Sequence, residues 1–209
     1  MIKYDLKEMQ YISQKHSVMK SLVEHYGKLE LGKISDIYTS LVLHIISQML
    51  SNSVADTLIK RFLELVGEIE PKIVGALDVE LIRECGISKR KAEYIIDLSR
   101  CVMEGRYDFS LLDAMSDDEA VRYLMQIKGV GKWTAEMIVE FTLGKLNIFS
   151  YEDVALQNGI KKAHGFKTLS KLRFDRLRKT YSPYCSVASV YYYAYNDDKS
   201  GWLIPIDNN

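Results

Sequence analysis
The sequence predicts an all-α protein, and three observations carry that reading. Apolar residues recur at spacings of three and four almost throughout the 209 residues. Only three prolines interrupt them. Side chains suited to helix caps, such as Asp36 and Ser116, stand immediately before periodic runs. A hydrophobic content of 47% suits a folded globule and argues against disorder.

Taken in order, residues 4–15 and 17–26 read as two short helices, followed by a loop through Gly27 and Gly32. Asp36 caps a longer helix with an apolar stripe of Leu41, Val42, Ile45, Ile46 and Met49. Ser51-Asn52-Ser53 interrupts it, and a further helix is expected over 54–66. A short helix over 78–84 and a turn at 85–88 lead to a long one over 89–103. Ser116-x-x-Glu119 forms a capping box that opens a helix over 117–126. The turn Gly129-Val130-Gly131 follows, and a second helix begins near Lys132, presents Trp133, Met137, Ile138 and Phe141, and ends near Gly144. An extended link over 146–150 reaches Tyr151-Glu152-Asp153, then a helix over 154–163. Ser182-Pro183 reads as a cap and first-turn proline for a last helix over 184–195, with the tail from Lys199 as a surface strap holding Trp202 down.

Composition restricts the function. The 28 basic residues balance the 28 acidic ones, which tells against a nucleic-acid binder. Their distribution softens that objection, because Lys161, Lys162, Lys167, Lys171, Arg173, Arg176, Arg178 and Lys179 are opposed only by Asp175. A solvated face and a DNA-facing surface explain this run equally well. No apolar run reaches the roughly 18–20 residues that span a bilayer. The N-terminus lacks the apolar core of a secretory signal. A monomer in the cytoplasm, nucleoid-associated in a prokaryote and without a membrane partner, is expected. Cys85, Cys101 and Cys185 are scattered and odd in number, which fits reduced thiols.

The chemistry gathers in residues 127–158. Gly129 and Gly131 lack a Cβ, so the backbone is free to take positive φ and to approach a ligand closely. The unpaired N–H groups at the start of the following helix make a ready site for a phosphate oxygen. One helix later, Asp153 stands at a helix start, where the macrodipole favours a negative charge.

Helix, IKGVGKWTAEM, helix, extended link, FSYED, helix resembles the helix-hairpin-helix superfamily of DNA base-excision glycosylases, and within it the 3-methyladenine DNA glycosylase II branch. LVLHIISQMLSNSVA at 41–55, GISKRKA at 86–92 and PYCSVAS at 183–189 resemble further family segments, so the likeness runs from about Met9 to Trp202. It implies two helical subdomains flanking a cleft that contains Asp153. One would hold roughly residues 1–35 and 146–209, the other roughly 36–145. No counterpart of the N-terminal β-sheet domain of the best-known members is expected.

The resemblance also implies the site. Asp153 would be the catalytic carboxylate, with Glu152 the alternative, either activating water or only offsetting charge on the sugar. Trp133, Met137 and Tyr193 would wall the base pocket. Gln48, Met49 and Leu50 hold the positions that fill the gap left by a flipped nucleotide, and Met49 and Leu50 remain equal candidates for the apolar wedge. Ser51, Lys89, Gly129, Val130, Gly131, Lys132 and Thr134 complete the DNA contacts. A structural sodium or potassium ion would sit on the backbone carbonyls of Met125, Ile127 and Val130. No catalytic cofactor is expected, and three dispersed cysteines cannot supply the four-cysteine iron–sulfur cluster of some relatives. Bifunctional relatives carry a lysine two residues after the second hairpin glycine; Trp133 stands there, and Lys132 is turned by about 100° from it. The expected activity is hydrolytic release of alkylated purines, 3-methyladenine and 7-methylguanine first, from double-stranded DNA containing damaged bases. The alternatives are a bifunctional glycosylase/lyase for oxidised bases and a non-catalytic DNA-binding module.

Overall fold
The computed structural model describes residues 2–29, 36–200 and 204, and among these every regular element is helical. The helices gather into two compact units, one of Met1–Lys33 with Val139–Asn209 and one of Ile34–Ile138. No helix of the described residues is long and apolar enough to cross a membrane. Gly32 and Trp202, and with them the expected loop end and packed tail, lie outside the described residues.

In the first unit, α1 (Leu6–Lys15) starts two residues later than its periodicity suggests. Asp5 takes the cap position, where its N–H donates to Glu8 Oε2 at 2.8 Å. Tyr4 is instead buried, and its hydroxyl donates to the Leu29 carbonyl. α2 (Ser17–Tyr26) follows, and after the second unit come α10 (Val154–His164), α11 (Lys171–Tyr181) and α12 (Cys185–Asp197). The core is dominated by α12, which buries Cys185, Val187, Ala188, Val190, Tyr191, Tyr192 and Tyr195. α10 crosses α12 at Gly159, where an added Cβ would stand 2.2 Å from the Tyr192 carbonyl oxygen. His164 at the far end of α10 hydrogen-bonds the Tyr192 hydroxyl at 2.9 Å, and Tyr181 does so from α11 at 2.9 Å.

This unit holds one helix that the sequence reading did not name and one helix start that it misplaced. The basic run contains a helix, α11, because Phe174, Leu177 and Tyr181 recur at helical spacing and are buried. Ser182-Pro183 does not open the last helix. Ser182 closes α11, its N–H donating to the Arg178 carbonyl, and α12 begins at Cys185.

The second unit holds α3 (Ile37–Ser47), α4 (Asn52–Val66), α5 (Pro71–Gly75), α6 (Val79–Glu84), α7 (Lys89–Met103), α8 (Asp117–Leu124) and α9 (Lys132–Met137). Asp36 caps α3 by accepting from Thr39 N–H at 2.9 Å, and Ser116 opens α8 through the capping box. α3 ends at Ser47, so Met49 is not part of its stripe and the break falls at 48–51 rather than 51–53. The short α5 and a 3-10 turn at Phe109–Asp113 are too brief to show a period in sequence. Beyond α9 the chain makes one π turn, Ile138–Thr142, instead of continuing as α-helix to Gly144.

Candidate active site and nucleic-acid interface
The α8–α9 turn is closed by its own backbone, with Val130 N–H donating to the Ile127 carbonyl at 3.0 Å. Its two glycines have different causes. Gly129 takes φ +84°, and an added Cβ would lie 2.3 Å from the Tyr94 ring, so both backbone and packing demand glycine there. Gly131 has φ −84°, open to any residue, and an added Cβ would meet no heavy atom within 4 Å. The fold therefore gives no reason for the second glycine. Lys132 beside it is exposed and pairs with Glu136 at 3.7 Å.

Two expected DNA contacts turn inward. Thr134 is 3% exposed, and its hydroxyl accepts from Gln48 Nε2 at 3.3 Å, because that face of α9 packs into the unit. The Val130 side chain is likewise buried, and its amide is spent inside the turn.

The segment after α3 presents a mixed picture. Gln48 turns its amide inward, with Nε2 donating to the Gly129 carbonyl at 2.8 Å, so it ties this segment to the hairpin turn. Met49 takes φ +57°, the one positive φ of a non-glycine residue among those described, and is 102% exposed. A left-handed conformation costs a residue with a Cβ about 1–2 kcal/mol. No burial of the side chain offsets that cost. Leu50 is partly buried, and Ser51, exposed, stands at the N-cap position of α4. Of the two wedge candidates, Met49 is the one offered to solvent. In the neighbouring basic trio Lys89 is exposed and lies 4.0 Å from Glu93, whereas Lys91 reaches back to the end of α3.

Trp133 opens a pocket of about 310 Å³ with Leu43, His44, Ser47, Met49 and Leu50 on its walls. The His44 ring meets Trp133 edge-on at 6.2 Å. Burial pushes the His44 imidazole below its ordinary pKa of 6.5, so it is neutral at pH 7. Sequence reading missed this histidine, whose signal is its place one helical turn before Gln48. Met137 is buried and does not line this pocket.

In the other unit Asp153 is 5% exposed at the N-cap of α10, its Oδ1 accepting from Leu156 N–H at 2.7 Å. Glu152 is exposed. Burial and capping thus distinguish two adjacent acids that sequence alone leaves close. The link leading to Asp153 is pinned by Ser186 of α12. Its N–H donates to the Leu146 carbonyl, its hydroxyl donates to the Lys145 carbonyl at 2.8 Å, and that hydroxyl accepts from Ile148 N–H at 3.0 Å. Ser186 is the first serine of PYCSVAS, a segment singled out only for its family resemblance. Val154, 68% exposed, follows the acid. Tyr193 is half-buried against Phe141 at 6.0 Å, while Tyr191, Tyr192 and Tyr195 are core. Part of the basic run is engaged within the unit: Lys162 donates to the Tyr195 and Asp198 carbonyls, and Lys171 pairs with Asp175.

The sequence pattern of the HhH-GPD superfamily of base excision DNA repair proteins matches residues 42–183, more than half of the chain. The chain belongs to that family. A Bacillus subtilis (strain 168) protein, YfjP, is 32% identical over 209 residues, spanning 89% of this chain and 72% of that one. Among solved structures, the DNA-3-methyladenine glycosidase of Bacillus halodurans superposes with a TM-score of 0.83 at 33% identity, covering 92% of this chain and 90% of that one. A fission-yeast (Schizosaccharomyces pombe) 3-methyladenine DNA glycosylase in complex with abasic DNA shares the fold, with a TM-score of 0.81 at 24% identity over 90% of this chain and 95% of that one. The HhH-GPD assignment spans both units, taking in the hairpin, the Met49 segment and Asp153.

Proposed function
We propose that this HhH-GPD protein is a monofunctional DNA glycosylase that hydrolyses the N-glycosidic bond of alkylated purines in double-stranded DNA. The observation that carries the reading is Asp153, a buried carboxylate on a pinned helix cap inside the family match. Breaking the bond from C1′ to the base nitrogen leaves positive charge on the sugar, and a fixed carboxylate stabilises it. Water then bonds to C1′ and releases a proton, which leaves an abasic site.

An N-alkylated purine carries its own positive charge and departs neutral, so it needs no general acid. Trp133 offers a π face to such a base, an interaction of about 0.5–2 kcal/mol. The neutral His44 beside it does not repel the cation. Met49 is proposed to fill the gap in the stack when the nucleotide leaves the duplex.

The hairpin is proposed to hold a phosphate at Gly131 and Lys132, helped by sodium or potassium on the carbonyls of Met125, Ile127 and Val130. The turn fits such an ion: Ile127 O accepts a single N–H here and keeps a second lone pair for a metal. The ion supplies charge for phosphate binding and takes no part in bond cleavage.

The test is a gel assay on a duplex carrying alkylated purines, with borohydride present in a parallel reaction. The expected product is an unbroken, alkali-labile strand with no covalent adduct, since Trp133 holds the position of the lyase lysine. A lysine-dependent adduct with strand scission would establish the lyase reading. Binding without base release would leave a DNA-binding module.

A further inference from the structure
Lys91 lies in the first turn of α7, where the helix dipole disfavours a cation. Its side chain leaves that turn and crosses to the C-terminal end of α3. There Nζ donates to the Ile46 carbonyl at 2.8 Å and to the Gln48 carbonyl at 2.7 Å. The last carbonyls of a helix have no partner within it, and the negative end of the dipole welcomes an ammonium group. The two oxygens belong to residues on either side of Ser47, where the chain leaves the helix, and Met49 comes next. Desolvation lowers the Lys91 pKa, as expected of an ammonium drawn from water onto carbonyl oxygens.

Met49 holds a strained conformation with its side chain wholly in solvent. Such a conformation persists only where the surroundings fix the backbone. Around this corner three sets of bonds do so: Lys91 on the two carbonyls, the Gln48 amide on Gly129 O, and Leu50 N–H on the Ser47 carbonyl at 3.2 Å. Of these, Lys91 is the side chain that grips the Gln48 carbonyl, the peptide oxygen just before Met49, while the Gln48 N–H donates to the His44 carbonyl at 3.1 Å.

We infer that Lys91 is a positioning residue, which locks the corner at Gln48 so that Met49 stands ready to enter DNA. Through the Gln48 side chain the same corner is registered to the hairpin turn, so phosphate capture and wedge insertion share one rigid frame. This inference rests on the proposed entry of Met49 into the stack. It assigns no DNA contact to Lys91 itself.

The test is a double-mutant cycle of Lys91→Met and Met49→Ala, with melting temperature followed throughout. Lys91→Met should weaken binding to a duplex with an abasic-site analogue by roughly 10-fold, the scale of a lost stacking wedge. Binding to undamaged DNA and the salt dependence of that binding should stay as in the parent. In the Met49→Ala background the same change should have no further effect, and Lys91→Arg should recover most of the loss. An equal penalty in both backgrounds, or a salt slope lower by about one phosphate contact, would overturn the inference. The methyl resonance of Met49 in the free protein separates this result from the wedge reading. Lys91→Met should narrow it through faster motion even if Met49→Ala proves neutral toward DNA, and an unchanged resonance would overturn the grip of Lys91 on the corner.

Discussion

Replacing Asp153 with Asn is expected to slow base release by roughly 10²–10⁴-fold while DNA affinity stays within a few-fold. The substitution is well suited to the question. Asn caps helices about as well as Asp, and its carbonyl oxygen still accepts from Leu156 N–H, so α10 should begin where it does now. What disappears is the negative charge on a side chain 5% exposed to solvent. The matching control is Glu152→Gln, which alters an exposed acid one residue away and should leave the single-turnover rate near that of the parent. Loss in the Glu152 variant with normal turnover in the Asp153 variant would show that the other carboxylate does the work.

The second large effect is expected from Gly159→Ala. The new methyl would stand 2.2 Å from the Tyr192 carbonyl oxygen and 2.8 Å from its carbon, and both are backbone atoms that cannot swing aside. α10 must move away from α12, but His164 of α10 hydrogen-bonds the Tyr192 hydroxyl and resists the shift. Overpacking of this kind costs about 1–3 kcal/mol or more, and each kcal/mol lowers Tm by roughly 2–4 °C in a protein of this size. Activity should fall further than stability alone explains, because Asp153 caps the displaced helix and about 1 Å of misplacement can cost 100-fold. Gly131→Ala, whose Cβ meets nothing, is the control for stability and should leave Tm unchanged. An unaltered Tm in Gly159→Ala would mean that α10 and α12 are not held at this close approach.

The sequence could be read wherever local signals agree with the packing. Asp36 and Ser116 stand beside the helices they cap, and α2 and α7 fall at the residues their periodicity indicates. The misreadings arise where a distant residue decides. α3 stops short of Met49, and the oxygens at its end are held by Lys91, 43–45 residues away. Nothing between 41 and 55 reveals that contact. The choice between Met49 and Leu50 turns on a single backbone angle, which spacing cannot supply. Gln48 and Thr134 have the polarity of DNA contacts yet satisfy each other, because two helices distant in sequence bring them together. Ser186 was hidden for the same reason, since its partners lie about 40 residues earlier in the link to Asp153. The basic run concealed α11, whose three buried residues are diluted by charge.

We propose that the leaving base brings the charge that makes it labile, so that little beyond Asp153 and a stacking surface is required. Single-turnover release from duplexes that each carry one defined lesion tests this most directly. 3-Methyladenine and 7-methylguanine should leave fastest, hypoxanthine more slowly, and 8-oxoguanine hardly at all. Faster release of 8-oxoguanine or uracil than of 7-methylguanine would contradict it.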